Sequence, residues 1–247
     1  IMRLLSALSY LFFLVLSIST FAQSLSPKEE LNEKLHVFVL PIQEEIGPAS
    51  ARHIKEGLKQ AKELNADYII LHLNTYGGAV HDADEMRTAI LKNTIPIYAF
   101  IDNNAASAGA LISIACDSIY MAPGANIGAA TVVGQDGAPA PEKYQSYMRS
   151  ILRSTAEQKK RDPKIAEAMN DPRIYIPGVN DSGKVLTFTT NEAIKNKYCQ
   201  GEAQNIEAVL RLAGITSYEI HTYQITHIGT VIDWLINPFI SGILIMI

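Results

Sequence analysis

Ser107 is a hydroxyl with unusual surroundings. It sits in Asn103-Asn104-Ala105-Ala106-Ser107-Ala108-Gly109, flanked only by small residues, between apolar runs at 95–101 and 110–115. The first run reads as a buried strand and the second as the opening turns of a helix. A helix starting just after Ser107 would aim unpaired N–H groups and its positive dipole end at the hydroxyl. Attack by a serine on a carbonyl creates an oxyanion, which needs such donors. Ala-Ser-Ala-Gly is equally ordinary packing at a tight strand-to-helix turn, so this stretch alone does not decide. A second stretch, Asn74-Thr75-Tyr76-Gly77-Gly78, breaks an apolar run at 67–73 and precedes a helical pattern at 79–91. Paired glycines there let backbone N–H groups face a bound carbonyl, or simply make a turn. Neither G-x-G-x-x-G nor a P-loop is present, which argues against phosphate binding.

A serine nucleophile needs a base. After His81 the next histidine is His221, beyond the expected core. His72 and His81 bracket the Gly77-Gly78 turn and remain open as bases, although His72 falls mid-strand, where packing competes as its reason. Lysine can serve if burial lowers its pKa. No lysine occurs between Lys92 and Lys143, and Lys143 opens a long helical pattern with Tyr144, Tyr147 and Met148 around it. That setting would partly desolvate the amine; a surface lysine in a first helical turn is the competing reading.

The elements that must position these groups alternate. Residues 35–42 (LHVFVLPI), 67–73 (DYIILHL), 96–101 and 118–121 read as strands, with 125–130 short and extended. Helical patterns cover 47–64, with Ile54, Leu58, Ala61 and Leu64 on one face, then 79–91 and 106–115. This spacing implies crossover units and a largely parallel sheet covered by helices. Residues 135–141 form a Gly/Pro/Ala loop before a helix at 142–162, whose basic stretch at 149–161 reads as a solvated face. A short helix at 163–170, an edge strand at 184–189, a short helix at 192–197 and an amphipathic helix at 204–213 follow.

The chain has 247 residues, enough for one large domain or two small ones, and its net charge of −4 gives no reason to expect nucleic acid. Cys116 and Cys199 make no disulfide framework, and no zinc spacing or H-x-x-x-H pair occurs. No cofactor and no metal is expected. Arg3, the apolar run at 4–21 and the Ala22-Gln23 junction read as a secretory signal at 1–22, with an uncleaved anchor as the alternative. Residue 1 is Ile, which hints at a fragment. A polar linker at 23–34 follows. Residues 228–247 are apolar apart from Thr230, Asp233, Asn237, Pro238 and Ser241. They read as the start of a truncated transmembrane region, or as an amphipathic helix lying at the interface.

The order Asn-Thr-x-Gly-Gly, Ala-Ser-Ala-Gly, Met121-Ala122-Pro123-Gly124-Ala125-Asn126-Ile127-Gly128-Ala129 and then a Pro-x-Lys helix resembles the ClpP-class serine proteases. Specifically, it resembles their membrane-bound NfeD-like group. The resemblance implies a ClpP/crotonase-like α/β fold of repeated ββα units over 35–217, with Ser107 as nucleophile and Lys143 as general base. It places oxyanion-hole N–H groups at Gly77, Gly78 and Ala108. Tyr76 departs from the proline usual at its position. The implied activity is endopeptidase cleavage of apolar segments of peptides or membrane proteins, in membrane protein quality control with a stomatin- or flotillin-like partner. The signal segment puts the protease domain on the extracytoplasmic, periplasmic side of the cell membrane, and a homo-oligomer of dimer size or larger is expected. Two other readings compete. A crotonase-like acyl-CoA hydratase or isomerase would need a carboxylate base, for which Asp117 and Asp136 are on offer. A membrane scaffold would keep the fold without the activity.

Overall fold

A computed structural model describes residues 34–134, 136–236 and 240–242. The expected signal at 1–22 and nearly all of the linker at 23–34 lie outside these residues.

Three continuous apolar runs make the centre of the sheet. They are β1 (Leu35–Ile42), β2 (Tyr68–Thr75) and β3 (Ile97–Ala106). Runs without polar alternation suit strands covered on both faces, and Val37 to Leu40 and Ile69 to Leu71 are all buried. β1 pairs with β2, and β2 with β3, both in parallel, with Leu40 opposite Leu71 and Leu71 opposite Ala99. β3 is long enough to serve two neighbours. Its first half pairs with β4 (Ser118–Met121) and its second with β5 (Asn126–Gly128), again in parallel. β6 (Thr187–Thr189) closes that edge antiparallel to β5, and the two-residue β7 (Gly201–Glu202) extends β4. β8 (Tyr218–Thr222) pairs in parallel with β1, giving the order β6-β5-β3-β2-β1-β8. The mixed α/β sheet agrees with the expected fold class, but it runs past the expected boundary at 217. β8 is mostly exposed and polar, so it carries no apolar signature.

The helices are α1 (Pro48–Glu63), α2 (Val80–Lys92), α3 (Ala108–Ala115), α4 (Glu142–Gln158) and α5 (Pro163–Ala168). Then come α6 (Thr190–Lys195), α7 (Ile206–Leu212) and α8 (His227–Ile236). α1 packs on α2, α2 on α3, α3 on α4 and α4 on α5. All eight residues of α3 are buried, which makes it the hub. On α1, Ile54 and Ala61 are buried as expected, but Leu64 ends outside the helix and exposed.

The basic stretch at 149–161 is not the solvated face expected. Arg161 is buried and donates to the carbonyls of Ile114 and Cys116, each at 3.0 Å. It thereby satisfies carbonyls that α3 leaves open at its C-terminal end, where positive charge is favoured. Arg149 bonds Glu142 and Asp171, and Lys159 bonds Asp117. Asp171, buried between arginines, is held down to about 2 by its hydrogen bonds with Arg173.

α8 is ten residues long, and no described helix is long and apolar enough to cross a membrane. The expected membrane start at 228–247 is therefore not observed as a span, and part of it lies outside the described residues. α8 is tied to α1 by its one charged residue. Asp233 accepts from Arg52 at 2.6 Å and meets His53 Nε2 at 2.8 Å.

Candidate active site

The site begins where β2 and β3 overrun the ends expected for them. Leu73 faces Ile101 and Thr75 faces Ala105, so residues 73–75 of one strand oppose 101–105 of the other. The irregularity brings the Gly77-Gly78 turn beside the end of β3. Ser107 follows directly, as the N-cap of α3.

Ser107 adopts φ 55° and ψ −118°, a conformation that costs a non-glycine residue about 1–3 kcal/mol. The neighbours enforce it. Its N–H donates to Gly128 O at 2.9 Å, and its carbonyl accepts from Ala110 N at 3.0 Å. The side chain is half-buried, and its hydroxyl has no hydrogen-bond partner among the described residues. A strained serine with a free hydroxyl at a helix N-terminus is how an exposed nucleophile is presented at a strand-to-helix turn.

The small residues have packing reasons as well. A Cβ on Gly77 would lie 2.5 Å from Ser107 Cβ and 3.0 Å from its Oγ, so the Gly77 backbone rests against the serine. A Cβ on Gly109 would lie 2.8 Å from Thr75 Cγ2, so α3 sits directly on the end of β2. Gly77 has φ +110° and Gly78 φ +149°, values that L side chains rarely adopt. The turn is pinned to Ile46: Ile46 N–H donates to Gly77 O, and Ala79 N–H donates to Ile46 O, both at 2.8 Å.

The three expected oxyanion donors are not equivalent. Gly77 N–H donates to the buried Thr75 Oγ1 at 3.1 Å. Gly78 N–H and Ala108 N–H have no partner among the described residues. Beside the turn opens a cleft of about 440 Å³ lined by Gln43, Glu44, Glu45, Asn74 and Tyr76, the last of these 78% exposed.

Lys143 is not brought onto the serine. It lies in the first turn of α4, exposed, with Nζ 4.8 Å from the centre of the Tyr144 ring, and makes no hydrogen bond to Ser107. The expected desolvation is absent because Tyr144 and Tyr147 also face outward, while Met148 turns into the core. What fixes the start of α4 is Gln145, which the sequence reading missed. Its amide donates to Val132 O at 2.7 Å and Ala140 O at 3.2 Å, and its Oε1 accepts from Val132 N at 3.1 Å. A buried polar residue two positions after the lysine was the only sequence trace of that latch.

The other candidates have structural partners. His72 stacks on Phe100 at 5.3 Å and approaches Asp102 at 3.4 Å. His81 is exposed and pairs with Glu85. Asp117 accepts from Ile97 N and Lys159, and Asp136 accepts from Ala138 N. Burial pushes the Cys116 thiol up to about 12 and the Cys199 thiol to about 11, so both are inert at neutral pH.

Comparison with known proteins identifies the family of the chain. The Bacillus subtilis membrane protein NfeD1b is 36% identical over 216 residues, which is 87% of this chain and 49% of that protein. The Pyrococcus horikoshii membrane-bound protease PH1510 is 28% identical over 183 residues, 71% of this chain and 39% of that protein. The chain thus spans about half the length of the first relative, or less of the second. A solved complex of a lysine-to-alanine variant of the 1510-N membrane-bound stomatin-specific protease with a substrate peptide superposes with TM-score 0.70 at 23% identity. That match covers 82% of this chain and 98% of the other. Listeria monocytogenes ClpP1 superposes with TM-score 0.53 at 18% identity, covering 68% of this chain and 92% of that one. These structural likenesses speak to the fold alone. The NfeD1b N-terminal domain family matches residues 36–223, from the second residue of β1 to just beyond β8, and the chain belongs to that family.

Proposed function

We propose that this chain carries a serine endopeptidase domain that cleaves apolar peptide segments at a membrane. The carrying observation is Ser107: strained, with a free hydroxyl at the N-terminus of α3, against a side-chain-free Gly77 and beside the unpaired N–H groups of Gly78 and Ala108. Ser107 Oγ attacks the peptide carbonyl and gives up its proton. The two N–H groups hold the oxyanion, the protonated base returns its proton to the leaving amine, and water then hydrolyses the acyl-enzyme. Gly77 serves by lacking a Cβ. Lys143 is the proposed base. A peptide across the Gly77-Gly78 turn, or a second copy of the chain, covers the start of α4 and brings the amine inward. The relatives named membrane-bound and stomatin-specific support a membrane setting with a stomatin-like partner. The exposed apolar face of α8 supports membrane contact. The extracytoplasmic side rests on the N-terminal sequence.

The test pairs an apolar peptide substrate with a serine-reactive probe. Labelling that disappears in Ser107→Ala supports the protease; an unlabelled wild-type chain supports the scaffold or the hydratase. Lys143→Ala is expected to lose nearly all cleavage, and Lys143→Arg is expected not to rescue it, because guanidinium stays protonated. Loss in His72→Gln or His81→Gln, with Lys143→Ala active, would move the base to the glycine side of the cleft.

A further inference from the structure

Three side chains, one from β1 and two from the distant β8, meet on one face of the β1–β8 pair. The parallel register sets His36 opposite Glu219 and Phe38 opposite His221. Glu219 and His221, two apart on β8, therefore project to the same face, as does His36 beside them. His36 Nδ1 lies 3.1 Å from His221 Nε2, with the rings tilted by 32°. Ligand atoms of His36, Glu219 and His221 all fall within 4.8 Å of one another, with both histidines half-buried and the carboxylate exposed.

We propose that His36, Glu219 and His221 bind a divalent transition metal of the zinc type. Two imidazole nitrogens bound to one tetrahedral zinc, each at about 2.0–2.1 Å, stand about 3.3 Å apart; the rings already hold nearly that spacing. Two imidazoles and one carboxylate suit a borderline metal rather than calcium or magnesium, which prefer all-oxygen shells. Three protein ligands at an exposed edge leave the fourth position to water. The ligands are neutral, neutral and anionic, so the bound site carries one net positive charge and needs no further partner.

The placement gives the metal a consequence. β8 is an edge strand, mostly exposed, and it leads from α7 to α8. A metal shared between β1 and β8 would staple that strand to the sheet and fix where α8 departs. This role is independent of Ser107, which lies beyond the other end of β3.

The experiment is titration of the chelator-treated full chain with zinc, followed by calorimetry, and with cobalt, followed by its visible spectrum. The expected result is one ion per chain and a tetrahedral cobalt spectrum without a thiolate charge-transfer band, because both cysteines are buried. His36→Ala and His221→Ala should each weaken zinc affinity at least about 100-fold, and Glu219→Gln about 10-fold, in line with losses at metal sites. His81→Ala, at an exposed histidine paired with Glu85, should leave zinc affinity unchanged. The cobalt spectrum and a zinc-dependent rise in the melting temperature of the unmodified chain stand even if a variant folds poorly. No uptake by the unmodified chain, or full stoichiometry and affinity in a folded His36→Ala,His221→Ala double variant, would overturn the site.

Discussion

α3 and α8 invert each other. α3 buries all eight of its residues and offers solvent only its N-terminal end, where Ser107 stands. α8 turns Asp233, half-buried, onto Arg52 and His53 and points apolar residues outward, with Ile228 74% and Trp234 56% exposed. In α3 the apolar residues fix position so tightly that backbone strain can be held at one serine. In α8 a polar clasp fixes position, which leaves the apolar face free for another apolar phase. Two apolar helices thus differ in which residues point inward: one is locked into the core, and the other keeps an apolar face exposed.

The largest expected effect lies at the α3 end. Ser107→Ala should lower the rate of peptide cleavage by at least about 10³-fold, since it removes the proposed nucleophile, while circular dichroism and the melting temperature stay nearly unchanged. An active Ser107→Ala would break the comparison at its first term. Gly78→Ala should be the most damaging to stability. Its Cβ would lie 2.1 Å from Ile46 O at φ +149°, and a loss above about 3 kcal/mol in urea unfolding is expected for such a clash.

At the α8 end, Asp233→Ala removes the partner that Arg52 and His53 share and leaves them Glu56 and Glu44; losing such charged hydrogen bonds costs about 1–3 kcal/mol. The loss should appear locally, as faster protease cleavage within 224–236, while the core holds. The clasp also has a pH sign. Hydrogen bonding to Glu44, and then to Asp233, raises the His53 pKa against the effect of burial. A raised folded pKa means the contribution is full below the ordinary histidine value of about 6.5 and is lost as pH rises through the folded value. Protection of α8 should therefore weaken from mildly acidic to alkaline pH in the native chain and lose that dependence in His53→Gln. The smallest change in stability is a gain: Ser107→Gly relieves the φ 55° strain and should add about 0.5–1 kcal/mol, although cleavage is lost with the hydroxyl.

The clasp shows what kind of information the sequence carries. Asp233 interrupts an apolar stretch and reads there as a blemish in a membrane segment; its partner Arg52 lies 181 residues away. The reverse holds for Gly77 and Ser107, whose neighbours in sequence already announce a turn and a strand-to-helix junction.

The three central strands are legible in local sequence, because an apolar run without alternation is satisfied inside a sheet covered on both faces. So are the glycine turn and the start of α3, whose causes lie within a few residues of each other. Tertiary structure decided the rest. It gave Gly77 N–H to Thr75 and left Gly78 and Ala108 unpaired. It placed Arg161 under the end of α3, kept Lys143 exposed, and drew β8 onto β1 so that His36 meets His221 across 185 residues. Each of these depends on which group approaches from elsewhere in the chain, and no local pattern of residues records that.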